Sequence, residues 1–179
     1  MDRNLERRRA ELFAELDEEF ERTVIDFGIP SIETASISPD TYLPLLNGEH
    51  FRDASAGGGI ITATQVAYWL TLLTVAGRLR DTSLPAFLLL DSPRIAVSTS
   101  EDIAGQMYRR FVTQVDAAPG RFQFIVADNE LPADITRDFD ELAFSYDRPT
   151  VATVPHPGPA HVKPVASDFT PESSFEPAD

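Results

Sequence analysis

Apolar residues recur at helical spacing through the first 27 positions. Leu5, Leu12, Leu16, Phe20 and Val24 are separated by seven or four, and Phe13, Phe20 and Phe27 by sevens. Charged residues fill the positions between, so residues 3–27 are predicted to form one amphipathic helix. Arg7, Arg8 and Arg9 lie among Glu6, Glu11, Glu15, Glu18 and Glu19, where pairing four residues apart is available. Such a stripe suits a surface helix packed on a domain or the end of a coiled coil, and three heptads do not distinguish the two. Gly28 and Pro30 break the pattern.

The pattern then changes period. Residues 31–38 are β-branched and partly alternating, which predicts a strand. Pro39 and Asp40 turn the chain. Tyr42 to Leu46 and Glu49 to Phe51 flank Asn47-Gly48, a pair that supplies the positive φ values of a type I′ hairpin turn. Pro44 is then expected on an edge strand or at a bulge.

Ala54 to Gly59 (A-S-A-G-G-G) leads into an apolar run, Ile60 to Leu79, read as a mostly buried helix because its apolar residues lie nearly all round. Phe87 to Leu90 is a short apolar stretch ending in Asp91-Ser92-Pro93, the look of a central parallel strand with its C-terminal end at a site. Glu101 to Ala117 reads as a helix, with Ile103, Met107, Phe111 and Val115 at spacings of four. Phe122 to Ala127 reads as a second buried strand, followed by Asp128-Asn129-Glu130. Strand, helix, strand implies a parallel α/β sheet. The organisation expected is thus a helical segment over 1–27, an α/β lobe over 28–150 and a tail over 151–179. Six of the last 25 residues are proline, so the tail is expected to be extended or disordered.

Charge narrows the chemistry. The chain of 179 residues has 29 acids against 15 bases, a net charge of −14. It should repel nucleic acid and anionic membranes, so DNA binding by this chain alone is disfavoured. Lys163 is its only lysine, and it stands in H-V-K-P-V. A phosphate-binding loop of the form G-x-x-x-x-G-K-[ST] is therefore absent. Cysteine is absent too, which excludes disulfides, cysteine-ligated metals and thiol nucleophiles. With no signal-like N-terminus and no apolar run judged long enough to span a bilayer, a cytoplasmic protein without membrane contact is expected.

Two constellations remain. Ser55-Ala56-Gly57-Gly58-Gly59 precedes a helix, where unpaired amides and the helix dipole favour an anion, or simply where a glycine turn is needed. Asp91 at a strand end is placed as a Mg²⁺-holding carboxylate in nucleotide hydrolases, or as a turn cap.

In this order, S-A-G-G before a long helix, then F-L-L-L-D-S-P, then a helix and F-Q-F-I-V-A-D-N, residues 5–150 resemble the C-terminal half of an ABC-type ATPase head, specifically the SMC-like and DNA-repair coiled-coil ATPases. The resemblance implies that residues 1–27 are the end of a coiled-coil arm. It implies that Ser55, Ala56, Gly57, Gly58 and Gly59 form the signature motif that closes on the γ-phosphate of ATP held by an opposing head. Asp91 would be the Walker B carboxylate, serving Mg²⁺ through water. The Walker A loop would come from an N-terminal half or partner subunit, with ATP gluing heads into a homo- or heterodimer, and DNA contacted only through the assembly. Two positions depart from the family. Ser92 stands where a catalytic Glu is usual, and a serine is a poor base. Asp128 and Asn129 stand where a switch His is usual. Asn129 can hydrogen-bond a phosphate or water, and Glu101, Asp128 or Glu130 are candidates for the missing base. A catalytically weak scaffold or clamp is the rival outcome. A hydrolase triad of Ser55, Asp91 and His156 lacks its nucleophile elbow. Metal sites at Asp134, Asp138, Asp140 and Glu141, or at His156 and His161, are weaker still than a solvated acidic face.

Overall fold

A computed structural model describes residues 3–54, 57–79, 82–97 and 101–128, with residues 131, 132, 135, 140–142 and 144. The chain divides into two units, Met1–Arg137 and Asp138–Asp179. In the second, Asp140–Leu142 and Phe144 lie in no helix or strand, so no helical face forms at Asp140 and Glu141. Asp134, Asp138, His156, His161 and the proline-rich tail lie outside the described residues.

The first helix, α1, runs Arg3–Asp26. Gly28 at φ +69° ends it: its amide bonds Ile25 O at 2.9 Å, and the Ile29 amide reaches back to Val24 O. Buried Ile29 and Val24 meet beneath this αL closure, which satisfies the last carbonyls of the helix. Only the C-terminal half of the apolar stripe is used. Leu16, Phe20, Val24 and Phe27 are buried, whereas every residue from Arg3 to Leu12 is exposed.

A small antiparallel sheet follows, built from β1 (Ala35–Ile37), β2 (Pro44–Leu46) and β3 (Glu49–His50) in that spatial order. The hairpin turn is type I′ as expected, with Asn47 at φ 51° and Gly48 at φ 80°. The strand expected over 31–38 is shorter, for a visible reason. The Asn47 side chain accepts the amides of Glu33 and Thr34 at 2.8 and 3.1 Å and donates to Ser31 O at 2.9 Å. Residues 31–34 are thus held by the Asn47 side chain, with one backbone bond from the Asn47 amide to Thr34 O at 2.8 Å, instead of a continued ladder. Pro44 lies on the middle strand, not an edge strand. Because β3 pairs only with Leu45 and Leu46, no ladder bond on that side is asked of Pro44. Phe51, expected in the hairpin, instead opens the short helix α2 (Phe51–Ala54). Gly48→Ala should lower stability by about 1–2 kcal/mol, because a Cβ at positive φ clashes with its own backbone; urea unfolding measures it.

The long helix α3 spans Gly58–Leu79. It is the central packing element: Ala63, Val66, Ala67, Leu70, Leu73 and Val75 are buried with Thr64, Thr71 and Thr74. Its burial is not all-round, since Gln65 and Trp69 face solvent, Trp69 at 52% exposure. By length and composition, Gly59–Leu79 also meets the requirements of a membrane-crossing helix, contrary to the sequence reading; half of that window is buried within the protein, as in a core helix.

Strand β4 (Phe87–Asp91), the short helix α4 (Pro93–Ala96), helix α5 (Glu101–Ala117) and strand β5 (Gln123–Ala127) complete the unit. Strands β4 and β5 pair in parallel, Phe87 opposite Gln123 through Asp91 opposite Ala127. The architecture is mixed α/β with a parallel two-stranded sheet. This sheet is not buried on both faces, as its apolar sequence suggested. Leu90, Phe124 and Val126 pack on the core, but Phe87, Leu89 and Ile125 on the other face are 50%, 63% and 43% exposed.

One buried charge joins three helices. Glu19, 1% exposed, accepts from Arg22 at 3.1 Å, from Arg78 of α3 at 2.5 Å and from Arg110 of α5 at 2.6 Å. Arg110 also reaches Asp26 at 3.2 Å.

Candidate functional site

The C-terminal ends of β4 and β5 gather the polar groups. Asp91 is the last residue of β4 and is exposed. Ser92 then turns the chain with φ +49°, a conformation that costs a non-glycine residue of order 1–3 kcal/mol unless its surroundings impose it. They do: the Ser92 amide donates to Ala127 O at 2.7 Å, and the Ser92 hydroxyl donates to Asp91 Oδ1 at 2.9 Å. Pro93, whose ring pre-sets φ and lacks an N–H, opens α4.

Asp128 stands one residue beyond β5, beside this turn. Its Oδ2 accepts the Arg94 amide at 3.1 Å and the Tyr108 hydroxyl at 2.7 Å. Tyr108 is on α5, 4% exposed, edge-on to Phe111. Burial raises the phenol pKa, the hydrogen bond to Asp128 and its charge raise it further, and Arg94 opposes them. A phenol whose folded pKa lies above the ordinary 10.0 contributes stability that is intact below that pH and is lost as pH rises past it.

The described part of the glycine turn opens α3. Gly57 is exposed, its carbonyl accepts from Ile60 and Ile61 at 3.2 and 3.4 Å, and a Cβ built on it meets nothing within 4 Å. Helix α3 begins at Gly58, two residues earlier than the sequence pattern indicated, so Gly58 and Gly59 supply first-turn amides. An anion can approach this backbone closely. Ser55, Ala56, Asn129 and Glu130 lie outside the described residues.

The structure therefore brings together Asp91, Ser92 and Asp128, and among the described residues no hydrogen bond links them to Gly57–Ile61. Among those residues, too, no group of three His, Cys, Asp or Glu is arranged to hold a metal ion; Asp91 fits a hydrated cation held by one carboxylate and not an all-protein cage. Sequence reasoning missed Tyr108 and the Arg94 amide. The signal was a tyrosine among the buried positions Ala104, Met107 and Phe111 of α5, where a phenol needs a partner. No protein-family model matches the chain, and a search of curated proteins returns no matching sequence.

Proposed function

We propose that the chain is the C-terminal half of an SMC-like ATPase head that completes a composite ATP site with a Walker A-bearing half or partner subunit. The observation that carries this reading is a parallel sheet that has two strands among the described residues, its outer face apolar and exposed, with Asp91 at its C-terminal end. Parallel strands are ordinarily covered on both faces, and sheets of two strands are marginal alone, so this one is suited to a neighbour that adds strands and a layer. Ligands of such sheets bind beyond the carboxyl ends of the strands, where Asp91 stands.

In this arrangement the Gly57 and Gly58 amides, with Ser55, meet the terminal phosphate of ATP presented by an opposing head. Asp91 holds the water shell of Mg²⁺, whose part is to neutralise phosphate charge. The Ser92 hydroxyl donates a hydrogen bond to Asp91, so it orients that carboxylate and does not act as a base. This last contact favours a second reading, a clamp that pairs with its partner on ATP and turns over slowly.

The test mixes the full chain with a coiled-coil protein carrying G-x-x-x-x-G-K-[ST], sought first in the adjacent reading frame, and follows association by light scattering. Association should require ATP and Mg²⁺. Gly57→Val should abolish the nucleotide dependence while leaving unfolding unchanged, because its side chain projects into open space. Association indifferent to nucleotide, or to Gly57→Val, overturns the reading.

A further inference from the structure

We infer that Tyr108 and Asp128 are a positioning pair that sets the turn after β4, so that Asp128 acts as a strut and not as the base missing at position 92. The inference rests on the reading of Asp91 given above, but its geometry stands on its own. A single carboxylate oxygen, Asp128 Oδ2, bridges the first turn of α4 and the middle of α5 through the Arg94 amide and the Tyr108 hydroxyl. Between the bridged residues and the strand lies Ser92, the one residue of the turn in left-handed backbone. The Ser92 amide is tied to Ala127, the neighbour of Asp128, so the turn is stitched to the end of β5 at two successive residues. Asp91 precedes the strained residue and receives its hydroxyl. Whatever fixes Ser92 fixes the direction in which Asp91 points.

The same bonds argue against a chemical role for Asp128. Two donors, one of them a backbone amide, already occupy the same carboxylate oxygen. Tyr108 is buried, so its hydroxyl has little freedom to swing away and release that oxygen.

Three variants separate a strut from a base. Asp128→Asn keeps an acceptor oxygen for both donors and removes the charge; Asp128→Ala removes both bonds; Tyr108→Phe removes one and conserves volume. Hydrogen exchange of the Ser92 and Arg94 amides in the full chain reads the turn directly, with exchange of the buried α3 amides as the control for global stability. Both Tyr108→Phe and Asp128→Ala should speed the turn amides about tenfold or more relative to α3, and Asp128→Asn should restore protection. In the complex with the Walker A partner, Tyr108→Phe should raise the Mg²⁺ concentration for half-maximal ATP-dependent association about 10-fold, because it loosens the turn whose Ser92 hydroxyl is the outer-shell partner of Asp91. Asp128→Asn should leave that concentration and any ATP turnover near wild type. Turn protection unchanged in Tyr108→Phe overturns the inference, and so does Asp128→Asn that keeps the turn but loses turnover. If the wild-type chain shows no ATP-dependent association, the reading of the site fails, and the exchange experiment still decides the strut.

Discussion

Replacing Glu19 with alanine should lower the stability of the folded chain by about 3–5 kcal/mol, the range found when one partner of a buried ion pair is removed. The magnitude comes from what is left behind. Arg78 is half exposed and Arg22 is 44% exposed, so both guanidinium groups can turn to water. Arg110 cannot: its side chain is 14% exposed, its Nε already has no hydrogen-bond partner among the described residues, and of its acidic partners there it would keep Asp26 alone. Arg78→Ala, which deletes a solvent-screened contact, should therefore cost no more than about 1 kcal/mol. Urea unfolding of the two variants measures both. Equal losses would mean that the carboxylate is not the centre of the cluster. Replacing Glu19 and Arg110 together by leucine should recover much of the loss, since a buried ion cluster gives specificity of packing more than net stability.

Leu89→Asp should have the opposite profile: almost no effect on the isolated chain and a large one on assembly. Leu89 is 63% exposed opposite Ile125, so an aspartate there stays hydrated and costs less than about 1 kcal/mol of strand propensity. In the proposed head the same position lies at the centre of an apolar interface, where a buried charge weakens association by about 100-fold or more. Leu90→Asp, one residue on, points at the core and should unfold the unit by placing a charge among Phe124, Val126 and their neighbours. Light scattering with the partner, alongside thermal unfolding of each variant, separates the two faces. If Leu89→Asp associates like wild type, the exposed face is not where the partner sits.

Local signals were the legible part. Helix α5 occupies Glu101–Ala117, the range its apolar spacing indicated, and Asn47-Gly48 makes its turn because two consecutive positive φ values suit few other residue pairs. Parallel pairing of β4 with β5 followed from strand, helix and strand in order. What stayed hidden depends on groups far apart in sequence. Asn47 shortens β1 through a contact 13 and 14 residues away, and nothing in S-I-E-T announces it. Glu19 looks like one more surface acid on a charged helix until Arg78 and Arg110 arrive from residues 59 and 91 positions later. The run F-L-L-L read as a strand covered on both sides, but a run of apolar residues does not say which neighbours do the covering. At the candidate site, Asp91 was legible from its strand, whereas Tyr108 reaches Asp128 across 20 residues.

Helix α1 has a mechanical consequence. Its 24 residues make a rod about 36 Å long, its apolar stripe buried along the inner half and its residues from Arg3 to Leu12 exposed, with Arg9 reaching across to Pro39 O and the Tyr42 ring. A sideways load at Arg3 is therefore met first where Arg9 bonds Pro39 O and then at the Glu19 carboxylate, about 24 Å along the rod. The guanidinium groups resisting that torque belong to α3 and α5, so the rod cannot be tilted without straining the two helices that carry the glycine turn and Tyr108.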